Sequence, residues 1–354
     1  MKGIAILGIM LHNYCHWLKG IARENEYTWL QWKCDRLWMY ITSPDDLLPL
    51  HLLSFFGHYG VPVFLFISGF GMVRKYEADI VSPSSLSSQS SLSSQSRGEG
   101  LSFWRFFRYN YLKLFRIFIV GFVLFTVLDA ITPDTHRYLS GEVVAMLTMT
   151  ANFLEHPAQV VWPGPYWYFS LTLQLYLLYR LLMYRRHWGV VVALVALCWL
   201  WQTFSLNDPE GLERLRYNFV GGMLPFGLGV LAARSRIGLG DKFRNYYILF
   251  LTLGVILIIL FSFNPHAWLW VPALIVVGTI SLVKLLPKQI LSYVVWLGNI
   301  SAAIFIVHPL VRKVFIRPYI SHDMYAGLLL YIVATILLSW LIKKVIDRIP
   351  SPKL

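Results

Sequence analysis

Charge is scarce in this chain. Asp, Glu, Lys and Arg together make 14% of its 354 residues, where a soluble domain carries about a quarter. That excludes a large soluble domain. Acids are the rarer sign, 18 against 31 basic residues. The 3 cysteines, Cys15, Cys34 and Cys198, are odd in number and scattered, which argues against a disulfide framework. No small-residue cleavage site follows the first apolar run, residues 3–11. That run continues into His12, Asn13, Tyr14 and Cys15, so it reads as a first span and not as a signal peptide. No repeat of fixed period occurs.

What is present is apolar: 57% of residues are hydrophobic and the mean hydropathy is +0.57. A membrane span takes about 20 such residues. Ten runs qualify: 3–18, 50–73, 112–129, 166–183, 189–206, 217–233, 246–263, 267–285, 290–311 and 326–346. A semi-polar stretch, 139–154, is re-entrant or interfacial, giving eleven at most. The expected fold is all-α, one polytopic transmembrane helical bundle over residues 1–354 in a lipid bilayer.

The net charge of +13 is not the footprint of a nucleic-acid binder. Lys and Arg gather at the ends of the apolar runs, the positive-inside pattern. Arg74, Lys75, Arg97, Arg105, Arg108, Lys113 and Arg116 mark one cytoplasmic segment; Asp134, Glu142 and Glu155 mark the next loop as outside. Continued alternation puts both termini in the cytoplasm of an inner (plasma) membrane protein. Arg312, Lys313 and Arg317 break the rule, which signals either a function or a miscounted span. Residues 77–101 contain the low-complexity run SPSSLSSQSSLSSQSR. Such a run cannot bury enough apolar surface to fold, so a flexible cytoplasmic loop is expected.

Polar groups inside spans are costly and mark candidate sites. His12 lies about 15 Å along a helix from Lys2, near mid-membrane. With Cys15 and His16 it shares a face at a possible metal-ligand spacing. No Glu lies between the histidines and no third His or carboxylate is near them in sequence, so no metal is expected. A packed histidine and a catalytic one both remain open. His308 precedes Pro309, which removes a helix donor; a bond to a freed carbonyl and a functional role stand level. In GVPVFLFISGFGMVR, residues 60–74, Ser68 sits beside Gly69 at mid-span and must face protein. In WRFFRYNYLKLFRIF, Arg105 and Arg108 suit membrane-surface anchoring. Lys113 and Arg116, three apart, suit a phosphate-bearing ligand. Trp162, Tyr166, Trp167 and Tyr168 form either an interfacial belt or a sugar-stacking lip, with Gln174 inside the span that follows.

Six stretches, in order, resemble the membrane-bound acyltransferase-3 family: KGIAILGIMLHN, GVPVFLFISGF, YLKLFRIF, PYWYFSLTLQLYLL, NFVGGMLPFGLGVLAAR and WLGNISAAIFIVHPL. Together they cover nearly the whole chain. The resemblance implies transfer of an acyl group, usually acetyl from acetyl-CoA, onto hydroxyls of polysaccharide, lipopolysaccharide or another extracytoplasmic glycan. In the family's first helix a basic residue and a His flank ten residues. Here Lys2 takes the basic place; nine residues separate it from His12, so strict spacing selects Asn13. On this reading a base is drawn from His12 or Asn13 and an oxyanion donor from Ser68, Asn13 or Tyr168. Lys113, Arg116 and Arg108 face CoA phosphates, and Trp167, Tyr168, Gln174 and His308 face the acceptor. A transporter or flippase for a glycan or small polar solute is the alternative; the missing internal repeat favours the enzyme.

Overall fold

The computed structural model describes residues 1–78, 102–235, 244–316 and 323–354, which are helical throughout their regular elements, with no strand. The first helix, α1, covers Lys2–Cys15. A coil from residue 16 to 30 leads to α2, Gln31–Thr42. Next come α3, Leu48–Phe56, a 3-10 turn at Gly57–Tyr59 and α4, Gly60–Tyr76. The long α5, Phe103–Ala130, precedes the short α6, Ser140–Leu147. Then follow α7, Trp167–Leu178, α8, Trp188–Phe204, α9, Pro209–Tyr217, and α10, Phe219–Arg234. The remainder is α11, Arg244–Ser262, α12, Val271–Leu285, α13, Lys288–Asn299, α14, Ser301–Phe315, and α15, Met324–Arg348.

Caps mark several boundaries. Asp323 accepts from the Tyr325 and Ala326 amides, each at 3.0 Å, at the start of α15. Asp208 does the same for Gly211 at the start of α9, satisfying amides that a helix start leaves free.

Around a large apolar core, some helices bury polar residues and expose apolar ones. On α15, Tyr331, Thr335 and Ser339 recur every fourth residue and are fully buried, while Leu329, Leu330, Val333, Leu337 and Leu341 are exposed. Hydrocarbon solvent favours that inversion, because polar groups find partners only within the protein. The Tyr331 hydroxyl donates to the Met10 carbonyl at 3.1 Å, tying α15 to α1.

The all-α expectation holds; the span count does not follow from it. Among the described residues four helical stretches are long and apolar enough to cross a membrane: Leu48–Tyr76, Phe103–Ala130, Arg244–Ser262 and Met324–Arg348. The pair α13–α14 makes a fifth if read as one, yet it bends by 71° at its junction, inside the expected span 290–311. There the Ser301 hydroxyl bonds the Gly298 carbonyl at 2.8 Å, within the break. Helices α8, α10 and α12 are apolar but shorter. The semi-polar stretch at 139–154 is α6 and a 3-10 turn, Ala151–Phe153.

Glu77, expected to open a flexible loop, is 1% exposed. Its carboxylate accepts from Tyr179 at 2.8 Å and from Arg234 at 2.6 and 2.8 Å, joining α4 to the end of α10. The Ser-rich run lies outside the described residues, as does Arg317. The other two cations that broke the charge rule have partners: Lys313 pairs with the fully buried Asp129 and Arg312 bonds Asn13.

Helices α4 and α10 pack most extensively. Gly69 and Gly229 make the crossing possible. A Cβ at Gly69 would run into the Phe226 carbonyl, and one at Gly229 into that of Phe66. Gly71, on the same helix, has open space. Gly69→Ala is therefore expected to lower stability by about 1–3 kcal/mol through overpacking. Gly71→Ala should be neutral or slightly stabilising. Thermal melting of the two variants in detergent checks this; equal melting temperatures would refute the crossing.

Candidate functional site

Two cavities approach α1 from its two ends. One, of about 540 Å³, is lined by His12, Asn13 and His16 together with Glu24, Glu26, Tyr27, His58, Trp167 and Arg312. The other, of about 340 Å³, is lined by Lys2, Ser68, Lys75, Asn110, Lys113 and Ser301 among others. Tyr168 and Phe305 line both. Their rings lie 5.3 Å apart between centroids, so they form the wall that the cavities share.

His12 is 5% exposed. Its Nδ1 lies 2.7 Å from the Ser54 carbonyl. A carbonyl only accepts, so Nδ1 carries the proton and Nε2 keeps its lone pair. The contact depends on Gly57, where a Cβ would come within 2.6 Å of the His12 Cβ. His16 Nδ1 lies 2.7 Å from Glu24 Oε2. The His58 ring is 5.6 Å from that of His12, and among the described residues neither of its ring nitrogens has a hydrogen-bond partner.

The coil at 16–30 carries acids into this cavity. Lys33 Nζ holds the Glu24 carbonyl at 2.6 Å, the Trp268 indole holds the Asn25 carbonyl at 3.0 Å, and Arg216 holds the Glu26 carbonyl at 2.7 Å. The expectation that no carboxylate approaches the histidines is thus overturned. Glu24 takes the place Cys15 was given, since Cys15 is fully buried and lines neither cavity. His12, His16 and Glu24 bring one ligand atom each within 4.8 Å of one another, a set that can hold a divalent cation. Burial alone would raise the Glu24 carboxyl, but the neighbouring imidazoles of His12 and His16, the latter hydrogen-bonded to it, hold it well below the usual range. Loss of water pushes the Glu26 carboxyl up to about 7.

The remaining expected site residues divide. Trp167 and Tyr168 line the histidine cavity, as do Trp162 and Pro165. Ser68 and Lys113 line the other one, so Ser68 and His12 do not share a cavity. Asn13 faces the histidine cavity, but its amide is engaged: Nδ2 donates to the Ile9 carbonyl at 3.1 Å and Oδ1 accepts from Arg312 at 2.9 Å. Arg108 is exposed and lines neither cavity. Arg116, expected to need an anion, instead donates to the Ile349 carbonyl at 3.0 Å and to the Ser351 hydroxyl at 2.5 Å, tying down the C-terminal segment. Gln174 joins two helices, donating to Asn218 at 2.9 Å and accepting from the Phe219 amide at 3.0 Å. His308 is fully buried off both cavities; its Nδ1 bonds the Ile304 carbonyl at 3.0 Å.

The family model for an acyltransferase domain, acyltransferase-3, matches residues 1–344. The chain belongs to the acyltransferase-3 family. No protein of curated function and no solved structure matches it. One cavity thus brings histidines, carboxylates and aromatic rings together beside α1. Sequence reasoning missed Glu24, Glu26 and His58, and marked Arg312 only as a break in the charge rule that signals a function or a miscounted span. Of these His58 carried a signal: it sits with His51 in an apolar run, HLLSFFGHYG, where an ionisable group is costly.

Glu26 gives the site a pH signature. Its carboxyl, ordinarily near 4.5, binds its proton up to about 7 in the folded chain. The fold then holds more protons than the unfolded chain between those values, so stability falls as pH rises through this window. Glu26→Gln should flatten the decline in melting temperature between about pH 5 and 8. Parallel slopes in wild type and variant would contradict the assignment.

Proposed function

We propose that this acyltransferase is an integral-membrane enzyme that moves acetyl from acetyl-CoA onto a hydroxyl of an extracytoplasmic glycan. The observation that carries the reading is the wall of Tyr168 and Phe305 common to both cavities. A donor entering beside Lys2 and an acceptor entering beside His12 would meet there and nowhere else. The cytoplasmic assignment of the Lys2 end rests on the charge alternation along the chain.

In this scheme Lys2, Lys75 and Lys113, which line the donor cavity, neutralise CoA phosphates. Lys2 and Lys75 take the part first given to Arg116 and Arg108. The narrow apolar lining beyond them, Phe64, Ile67 and Leu114, suits a thioester arm and not a second charge. The acceptor sugar lies against the faces of Trp167 and Tyr168. His12 Nε2 takes the proton of the attacking hydroxyl. The alkoxide oxygen bonds the thioester carbonyl carbon, and the carbonyl electrons move to oxygen. Tyr168, which lines both cavities, donates to that oxyanion. Collapse breaks the C–S bond, and the His12 proton passes to the departing CoA thiolate. The ester and free CoA leave by opposite ends.

Purified protein with labelled acetyl-CoA and a host glycan extract tests the scheme. His12→Ala should lower label transfer by about 10²–10⁴-fold, the usual weight of a general base, with unchanged membrane insertion. Asn13→Ala should keep far more activity. Full transfer by His12→Ala, or loss confined to Asn13→Ala, would remove His12 as the base.

A further inference from the structure

Arg312 is the one buried cation at the His12 cavity whose side chain is left largely unanswered. It is 6% exposed and lines the cavity. A guanidinium has five N–H donors and no way to lose its charge in a protein. Among the described residues it makes a single side-chain hydrogen bond, from Nη1 to Asn13 Oδ1 at 2.9 Å, and no ion pair. It lies against Trp17, 4.8 Å from the ring centroid. Other cations of the bundle are provided for: Arg234 has Glu77, Lys313 has Asp129, and Arg216 has the Glu26 carbonyl and Gln202.

The orientation of Arg312 is set on two sides. Asn13 is anchored through Nδ2 to the Ile9 carbonyl, so Oδ1 is the atom turned to Nη1. The Trp17 ring lies against the guanidinium, its centroid 4.8 Å from the central carbon. The edge formed by Nε and Nη2 is the one these contacts leave over, and it is the side-on fork that pairs with two oxygens of one anion. A second observation points to a polar ligand in the same place. His58 lines the same cavity, is 4% exposed, and among the described residues has no partner on either ring nitrogen. Glu24 is committed to His16, and Arg23 and Lys33 share the lining with Glu26 and Glu213, so the cavity does not repel an anion as a whole.

We infer that the acceptor held in the His12 cavity carries an acidic group, a sugar carboxylate or phosphate, and that Arg312 binds it through its Nε–Nη2 edge. This rests on the acyl-acceptor reading of the cavity and narrows its substrate class to anionic glycans. Arg312 is then a specificity residue. Its pairing positions the sugar hydroxyl towards His12, which lines the same cavity.

The test uses the full chain in detergent and three small probes: methyl glucuronoside (carboxylate), glucose 1-phosphate (phosphate) and methyl glucoside (neutral). Affinity is read by tryptophan fluorescence, with Trp17→Phe identifying the reporter, and acetyl transfer to each probe is scored in parallel. Wild type should bind a charged sugar about ten- to hundredfold more tightly than the neutral one, the weight of a charged hydrogen-bonded contact. Which charged probe wins identifies carboxylate or phosphate. Arg312→Gln should erase the preference, and Arg312→Lys should restore part of it, since it keeps the charge without the fork. Unchanged acetyl-CoA affinity in both variants shows that they are folded. Equal affinities for the three sugars in wild type, or a preference that survives in Arg312→Gln, would overturn the inference. A preference for the charged sugar without any transfer would instead sink the acyl-acceptor reading and leave the anion site standing.

Discussion

The arrangement depends on how closely α1 lies against the turn between α3 and α4. Gly57 lets the backbone of that turn reach His12, and the Ser54 carbonyl takes the Nδ1 proton at 2.7 Å. In a medium without water a buried imidazole must find its partner within the protein. This one spends Nδ1 on the Ser54 carbonyl, which leaves Nε2 with its lone pair. Tautomer, ring orientation and the availability of a base thus follow from one missing side chain and one carbonyl. Gly60, packed against the Ala5 carbonyl, continues the same close contact one turn along α1.

The second consequence is the division of the interior. α1 is short, and its two ends open on cavities of different chemistry. The Lys2 end collects lysines and hydroxyls, the His12 end histidines, carboxylates and flat rings. Between them stand Tyr168 and Phe305, on α7 and α14. The polar cargo of the bundle is spent on these two places and on a few clasps, such as Glu77 with Arg234 and Lys313 with Asp129. Apolar side chains cover the outside.

Much of this was legible in the sequence. The apolar runs give the helices, and His12, Lys113, Trp167 and Tyr168 stand out as polar or aromatic groups in apolar surroundings; all four line a cavity. Local pattern cannot show what a coil brings back. Glu24 and Glu26 sit in a stretch without periodicity and reach the histidines only because Lys33, Arg216 and Trp268 hold the coil's carbonyls. Arg312 looked like an exception to a charge rule; its meaning comes from Asn13, far away in sequence. The converse errors have the same root. Gln174, His308 and Arg116 are polar groups in apolar runs, but they line neither cavity and bond neighbouring protein groups, with His308 Nε2 and Arg116 Nε left over. A span length read from hydropathy also fails where a helix breaks, as at the 71° bend between α13 and α14.

The central claim is that donor and acceptor occupy separate cavities that meet at one wall. Photocrosslinking with a photoreactive acetyl-CoA analogue, followed by mass-spectrometric mapping, tests it most directly. The account predicts labels on the donor lining, around Ser68, Lys75 and Lys113, reaching no further than Tyr168 and Phe305. Labels centred on the coil at 16–30 or on Arg312, with none beside Lys113, would contradict it.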